Sequence, residues 1–328
     1  MLMGVPRYLY LTITRECNLR CQQCHFWTYK DPIDRLSISE YLNVIDQFYE
    51  INPEGIVVIN GGEPTIHREE FFEITNYIKR LNMRSACVTN GYNFEDDICR
   101  RMIKEGPTYL TISLDSHIPE IHNRLRGRED AFDKTISTIK RLVYYLNGQN
   151  ASTLELTVTT IIFDENIKYL PQYIEFIRGI GVRGVLFQII NPTFARISKE
   201  DKFFNEHFFK NKSEAITHIK MVYEKYKNDS FVFLSESEVN WICSYIENPD
   251  FLSEPVCDSH NKNIFLELTG DIVLCAHMRN FNNGAAIGNI REKRLKDILN
   301  SDIAQKMRGI MERCRKNCGL LACHKKDT

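Results

Sequence analysis

Three cysteines, Cys17, Cys21 and Cys24, fall within eight consecutive residues, and they constrain this chain more than any other feature. Their spacing is C-x3-C-x2-C, and they follow at once on the run Tyr8-Leu9-Tyr10-Leu11-Thr12-Ile13-Thr14. That run alternates and is rich in aromatic and β-branched residues, so it reads as a strand. The cysteines then lie in a loop at the C-terminal end of a first strand. Three thiolates on one short loop can hold three corners of a metal site. A closed structural zinc site wants four ligands, so zinc would need His25 or a distant cysteine to complete it. A 4Fe–4S cluster also usually takes four cysteines, and with three of them one iron stays open to a non-protein ligand.

A second stretch bears on that choice. Beyond Cys24 come a helix and a short apolar run, Ile56-Val57-Val58-Ile59, followed by Asn60-Gly61-Gly62-Glu63-Pro64-Thr65. The C-x3-C-x2-C loop after strand one and the G-G-E-P loop after strand two, in this order on a strand–helix–strand unit, resemble the radical S-adenosylmethionine (radical SAM) superfamily. The resemblance implies two cofactors, S-adenosylmethionine and a 4Fe–4S cluster ligated by Cys17, Cys21 and Cys24, and an electron donor such as flavodoxin or ferredoxin. In that family the open iron binds the methionine amino and carboxylate groups. One electron cleaves the sulfonium, and a 5′-deoxyadenosyl radical abstracts a substrate hydrogen. Here Gly61 and Gly62 would let backbone approach the methionine amine. Glu63 would accept from that amine, and Pro64 would fix the turn. Ser113 and Arg126 are candidates for the ribose or carboxylate of S-adenosylmethionine, against readings as a strand residue and a surface ion pair. Phe26 and Trp27 are candidates to pack on the adenine. The family's aromatic just before the third cysteine is replaced by Gln23.

The 328 residues suffice for a main domain and a smaller one. With 42 basic and 43 acidic residues the net charge is −1, so no overall field favours nucleic acid or an anionic membrane. No run approaches the length of a membrane span, and Pro6 and Arg7 interrupt any signal-like segment. A cytoplasmic location is expected. Eleven cysteines there argue for metal or redox chemistry rather than disulfides.

Strand and helix signals alternate six times up to about residue 190, which predicts parallel strands with helices outside. The expected fold is α/β, a partial (β/α)6 barrel with functional loops at the strands' C-terminal ends. Residues 199–247 read as mostly helical, and a boundary near 250 separates a barrel with helical extension (1–250) from a small C-terminal domain (251–328). That last part holds Cys257, Cys275, Cys314, Cys318 and Cys323. A hairpin over 264–274 brings Cys275 back beside the start of the segment, near Cys257. A short strand follows at 286–290, then one helix from Leu295 to about Met311. The order C-x12-G-x4-C, then C-x3-C-x4-C, resembles the iron–sulfur SPASM and Twitch extensions of the same superfamily. It implies one auxiliary 4Fe–4S cluster, with Cys257 and Cys275 joined by two of Cys314, Cys318 and Cys323. A structural zinc hairpin is the alternative.

The resemblance leads to an oxidoreductase that abstracts a substrate hydrogen, with the auxiliary cluster taking the second electron or binding the substrate. The substrate is a small molecule or a peptide. Dehydrogenation of a small-molecule alcohol is favoured, since strand one begins by residue 8 and leaves no preceding peptide-recognition domain. Peptide crosslinking and epimerisation are the alternatives, and a zinc-bearing binding protein is the rival from another class. His277 could act as an acid–base group. Cys87, Cys99 and Cys243 read as core, with Cys243 the candidate thiol for returning a hydrogen atom in an epimerase.

Overall fold

The computed structural model describes residues 4–148, 154–192, 202–250, 258–276 and 286–314. Six strands pair side by side in chain order, all parallel: β1 (Tyr8–Thr14), β2 (Ile56–Gly61), β3 (Arg84–Thr89), β4 (Tyr109–Ser113), β5 (Glu155–Ile162) and β6 (Gly184–Ile189). Helices α1 (Ile38–Ile51), α2 (Arg68–Arg80), α3 (Asp96–Glu105), α4 (Pro119–Arg126), α5 (Ala131–Asn147) and α6 (Leu170–Ile180) lie between them. This is the α/β architecture expected from the alternation.

The strands carry two different faces. Leu9, Leu11, Ile59, Cys87, Leu110, Ile112 and Val158 are buried and belong to the core. Their neighbours Tyr10, Val58, Ala86, Tyr109 and Thr111 are only half-buried, and Val88, near the C-terminal end of β3, is 46% exposed. A period of two along a strand thus separates a sealed core side from an open side.

Past β6 come α7 (Lys202–His207), α8 (Lys212–Tyr226), β7 (Val232–Phe233) and α9 (Glu236–Glu247). The C-terminal segment then supplies α10 (Ser259–Lys262), β8 (Asn263–Leu266), β9 (Asp271–Val273), β10 (Gly288–Asn289), α11 (Leu295–Asn300) and α12 (Asp302–Met311). The described strands form one sheet in the order β10-β9-β8-β1-β2-β3-β4-β5-β6-β7. β7 joins the β6 edge in parallel, and β8 joins the opposite edge in parallel with β1. The C-terminal segment is also tied to α1. Arg291 Nε reaches Glu40 Oε1 at 2.6 Å, and the Leu295 amide donates to Gln47 Oε1 at 2.6 Å.

Three local differences from the sequence reading have plain causes. The stretch after strand four contains a helix, α4, with Pro119 in its first turn and Gly127 at φ 68° just past its end. β7 has two residues, too few to show a period. The helix expected from Leu295 to Met311 is two helices, because Ser301 is extended and its hydroxyl accepts from the Ala304 amide at 3.2 Å to cap α12. Among the described residues, no helix is long and apolar enough to cross a membrane.

Candidate functional site

The cysteine loop leaves β1 and is zipped onto the glycine-rich loop after β2. The Gly62 amide donates to the Thr14 carbonyl at 2.8 Å, and the Glu63 amide to the Glu16 carbonyl at 2.7 Å. The structure shows the glycines permitting this close contact between the two loops. A Cβ on Gly61 would lie 2.1 Å from the Thr14 oxygen, and one on Gly62 2.1 Å from the Glu16 oxygen. Gly61 also has φ 140°, which side chains avoid. Pro64 opens a buried 3-10 turn, Pro64–Ile66.

Glu63 is 1% exposed. Its Oε1 accepts from the Thr65 amide and hydroxyl at 3.1 and 2.6 Å and from the Thr89 hydroxyl at 2.7 Å. Its Oε2 accepts from the Asn90 amide at 2.8 Å. The carboxylate therefore ties the β2 loop to the end of β3, and burial pushes its pKa up against those donors. Asn90 carries the tie onward. Its Nδ2 donates to Asn18 Oδ1 at 2.8 Å and lies 3.8 Å from Cys17 Sγ.

The other side of the loop rests on β4 and α4. The Arg20 and Gln22 amides donate to the Arg126 and Leu125 carbonyls at 3.2 and 2.9 Å. Arg126 is not at the surface. Its Nη2 pairs with Asp115 Oδ2 at 2.9 Å, both side chains are buried, and its Nη1 lies 3.9 Å from Cys21 Sγ. Asp115 also receives Gln23 Nε2 at 3.4 Å. His122 is fully buried and accepts from the Asp115 amide through Nδ1 at 3.1 Å. Burial and the nearby Arg126 charge hold its imidazole well below the usual range, so it is neutral with its proton on Nε2. Gln23 Oε1, His122 Nε2 and Arg126 Nε are buried with no hydrogen-bond partner among the described residues. Ser113 sits half-buried beside Thr159 in the β4–β5 register. Phe26 starts a half-buried 3-10 turn, Phe26–Thr28, where Trp27 Nε1 donates to the Cys21 carbonyl at 3.2 Å.

These residues fit an iron–sulfur cluster better than a single ion. A tetrahedral zinc about 2.3 Å from each sulfur would draw the thiolates to roughly 3.8 Å of one another. Among the described residues, the ligand atoms that gather within 4.8 Å as a trio belong to Glu16, Asp31 and His67, not to the three cysteines. Asp31 in that trio already accepts from the Thr14 hydroxyl at 2.8 Å, and Glu16 faces His67 at 3.3 Å. Burial pushes Cys17 up to about 12 and Cys24 up to about 11, and raises Cys21 as well. Thiols so placed need a bound metal to displace their protons. Two sulfurs with side-chain N–H neighbours, and unpaired buried polar atoms alongside, suit a site that a cofactor completes.

Known proteins agree. A family model described as the Radical SAM superfamily matches residues 11–177. The chain belongs to the radical SAM superfamily. A second model, for an iron–sulfur cluster-binding SPASM domain, matches residues 257–323. The chain is 24% identical over 309 residues to a tungsten-containing aldehyde ferredoxin oxidoreductase cofactor-modifying protein of Pyrococcus furiosus, covering 90% of this chain and 81% of that protein. It is 26% identical over 191 residues to an AdoMet-dependent heme synthase of Methanosarcina barkeri, covering 58% of this chain and 52% of that protein. In fold it is similar to Streptococcus suis SuiB bound to S-adenosylmethionine, with TM-score 0.71 at 15% identity, covering 99% of this chain and 75% of that one. It is also similar to anSMEcpe with bound AdoMet, with TM-score 0.70 at 16% identity, covering 98% and 92%.

In this radical SAM chain the second cysteine region lies at the other end of the sheet. β9 runs antiparallel to β8, with Val273 opposite Phe265, which is opposite Tyr10 of β1. Cys275, half-buried, therefore comes level with the start of β1, roughly 20 Å along the strand direction from the loop after Thr14. The Ser259 hydroxyl donates to the Leu274 carbonyl at 3.1 Å, so the hairpin does return to the start of its segment. Cys314 is half-buried beyond α12. Cys257, His277, Cys318 and Cys323 lie outside the described residues.

Cys87 and Cys99 are core residues. Cys243 is on α9 and packs half-buried against the core, with Lys220 of α8 and Glu247 as charged neighbours. Asn90, Asp115 and His122 are the residues that motif reading undervalued. Their signal was position: Asn90 directly follows β3 and Asp115 lies two residues past β4, at the end where such folds carry function.

Proposed function

We propose that this radical SAM enzyme oxidises a small, uncharged, hydroxyl-bearing substrate held between its two cysteine regions. One observation carries the reading: the open face of the sheet between those regions sets hydroxyl and amide groups among the apolar Val58, Ala86 and Val88. Thr12 donates to Asn60 Oδ1 at 3.3 Å, the Thr111 and Thr157 hydroxyls are 2.9 Å apart, and Ser113 lies beside Thr159. Tyr10 and Phe265 stack at 4.4 Å as an aromatic wall of the same face. Such a lining can satisfy a polyol or sugar alcohol by hydrogen bonds without a charge to neutralise. The relative matched over most of the chain is named as modifying a cofactor, which is also a small molecule.

The first site supplies, when its cluster and S-adenosylmethionine are bound, a carbon radical that removes one hydrogen atom. Oxidising an alcohol carbon to a carbonyl removes two electrons and two protons in all. One electron and one proton leave with that hydrogen atom. The hydroxyl proton leaves to solvent, and the remaining electron needs an acceptor. A second cluster held around Cys275 would be that acceptor. A peptide is the second reading, favoured by the fold match to SuiB bound to a precursor peptide.

The test is anaerobic reconstitution, then incubation with S-adenosylmethionine and reductant against panels of cyclitols, sugar alcohols and cysteine- or serine-containing peptides. The expected result is 5′-deoxyadenosine together with a ketone two mass units below an alcohol substrate. A crosslinked peptide, or deuterium from solvent in a product of unchanged oxidation state, would replace this reading with maturase or epimerase.

A further inference from the structure

We propose that Arg126, Asp115 and Asn90 set the reduction potential of the cluster held by Cys17, Cys21 and Cys24, with Arg126 and Asn90 raising it and Asp115 lowering it. The inference uses the family assignment and is independent of the substrate. Two of the three ligand sulfurs have a side-chain N–H group as neighbour, and each comes from a different segment. Asn90 Nδ2, at the end of β3, is 3.8 Å from Cys17 Sγ, and Arg126 Nη1, at the end of α4, is 3.9 Å from Cys21 Sγ.

Neither group is there by default. Asn90 is held at four further points: its amide by Glu63, its Oδ1 by the Tyr92 amide at 2.8 Å, its carbonyl by the Thr135 hydroxyl at 3.2 Å, and its Nδ2 by Asn18. Arg126 is held by Asp115, which is in turn placed by the His122 and Gln23 contacts.

Reduction adds one negative charge to the cluster and its thiolates. A fixed cation or N–H dipole beside a sulfur favours the reduced form, and a carboxylate disfavours it. Burial makes both effects larger than they would be in water. The guanidinium touches Cys21, whereas Asp115 is reached through the guanidinium, so the pair does not cancel at the sulfur. Burial also means that Arg126 without Asp115 would be an unpaired interior cation, which is why the two occur together. These are positioning residues acting through the ligand sulfurs, and their signature is a potential, not a rate.

The experiment is an EPR-monitored redox titration of the full chain, reconstituted without oxygen and without S-adenosylmethionine, with iron and sulfide counted in each sample. The first cluster's signal is the one absent from the Cys17/Cys21/Cys24 triple-alanine variant. Arg126→Met and Asn90→Leu should shift the midpoint to more negative potential, Asp115→Asn to more positive, and Arg126→Lys should stay near wild type. Opposite signs for the Arg126→Met and Asp115→Asn shifts support the proposal, since a merely structural role would not reverse sign. Shifts in the same direction, or none at full iron content, overturn it. If Asp115→Asn does not hold iron, the Arg126→Met against Arg126→Lys comparison decides. Equal potentials in those two variants would overturn the assignment, and a more negative value in Arg126→Met alone would uphold it.

Discussion

The two cysteine regions of this molecule are built by opposite means. The first is compact in sequence, and buried side chains hold it: Glu63 with four donors, Asn90 beside Cys17, and the Arg126–Asp115 pair beside Cys21. The second is drawn from segments far apart in the chain, and backbone pairing places its described part, with β8 on β1 and β9 on β8. The contrast teaches that a site opening onto a ligand needs rigid polar support. In the added hairpin, strand register does most of the positioning, helped by the Ser259 contact to Leu274 and the ties to α1.

The strongest way to break the comparison is to empty each region separately. The Cys17/Cys21/Cys24 triple-alanine variant should lose about half of roughly eight irons per chain and all cleavage of S-adenosylmethionine. Cys275→Ala should lose the other half and retain cleavage. Iron, sulfide and 5′-deoxyadenosine assays read both. Loss of all iron in either variant would mean that the regions are not independent.

A smaller effect is expected from Gly62→Ala. The added carbon meets the Glu16 carbonyl at 2.1 Å, so the two loops must part. We expect a loss of about 3 kcal/mol in unfolding free energy and poor iron uptake at the first site only, measured by denaturant titration and metal content. Gly309→Ala, where an added carbon meets no described residue within 4 Å, is the control.

The docking of the C-terminal segment on α1 should depend on pH. Glu40 is held down to about 2 by the Arg291 guanidinium and by the Ser37 amide and hydroxyl. Its folded pKa lies below the unfolded value near 4.5, so its contribution is full above that value and fades as the pH falls toward 2. Glu40→Gln should flatten this part of the stability profile and cost about 1 kcal/mol at neutral pH. The smallest effect, under about 1 kcal/mol, is expected from Ser301→Ala, which uncaps α12 and leaves α11 intact; amide hydrogen exchange over Asp302–Met311 would read it.

Much of this was legible in the chain. Ser37-Ile38-Ser39-Glu40 has the S-x-x-E form of a capping box, and Ser37 and Glu40 make its reciprocal contacts at the start of α1. The alternation of apolar residues in Tyr8–Thr14 gave the first strand and its two faces. α4 escaped because its eight residues are mostly polar, and periodicity needs apolar residues to be seen. Arg126 could be singled out but not understood, because its partner Asp115 is eleven residues away across a turn and a helix.

Sequence by itself singled out the candidate metal-binding residues of the first site and determined the family and the order of strands and helices. Each of these is a local matter of residue type and spacing. Only the tertiary structure decided that Gly62 serves loop-to-loop packing, that Arg126 is a buried charge beside Cys21, and that Cys275 lies at the opposite end of the sheet. Those facts depend on which distant atoms come within a few ångströms, and strand register and helix packing settle that, not spacing along the chain.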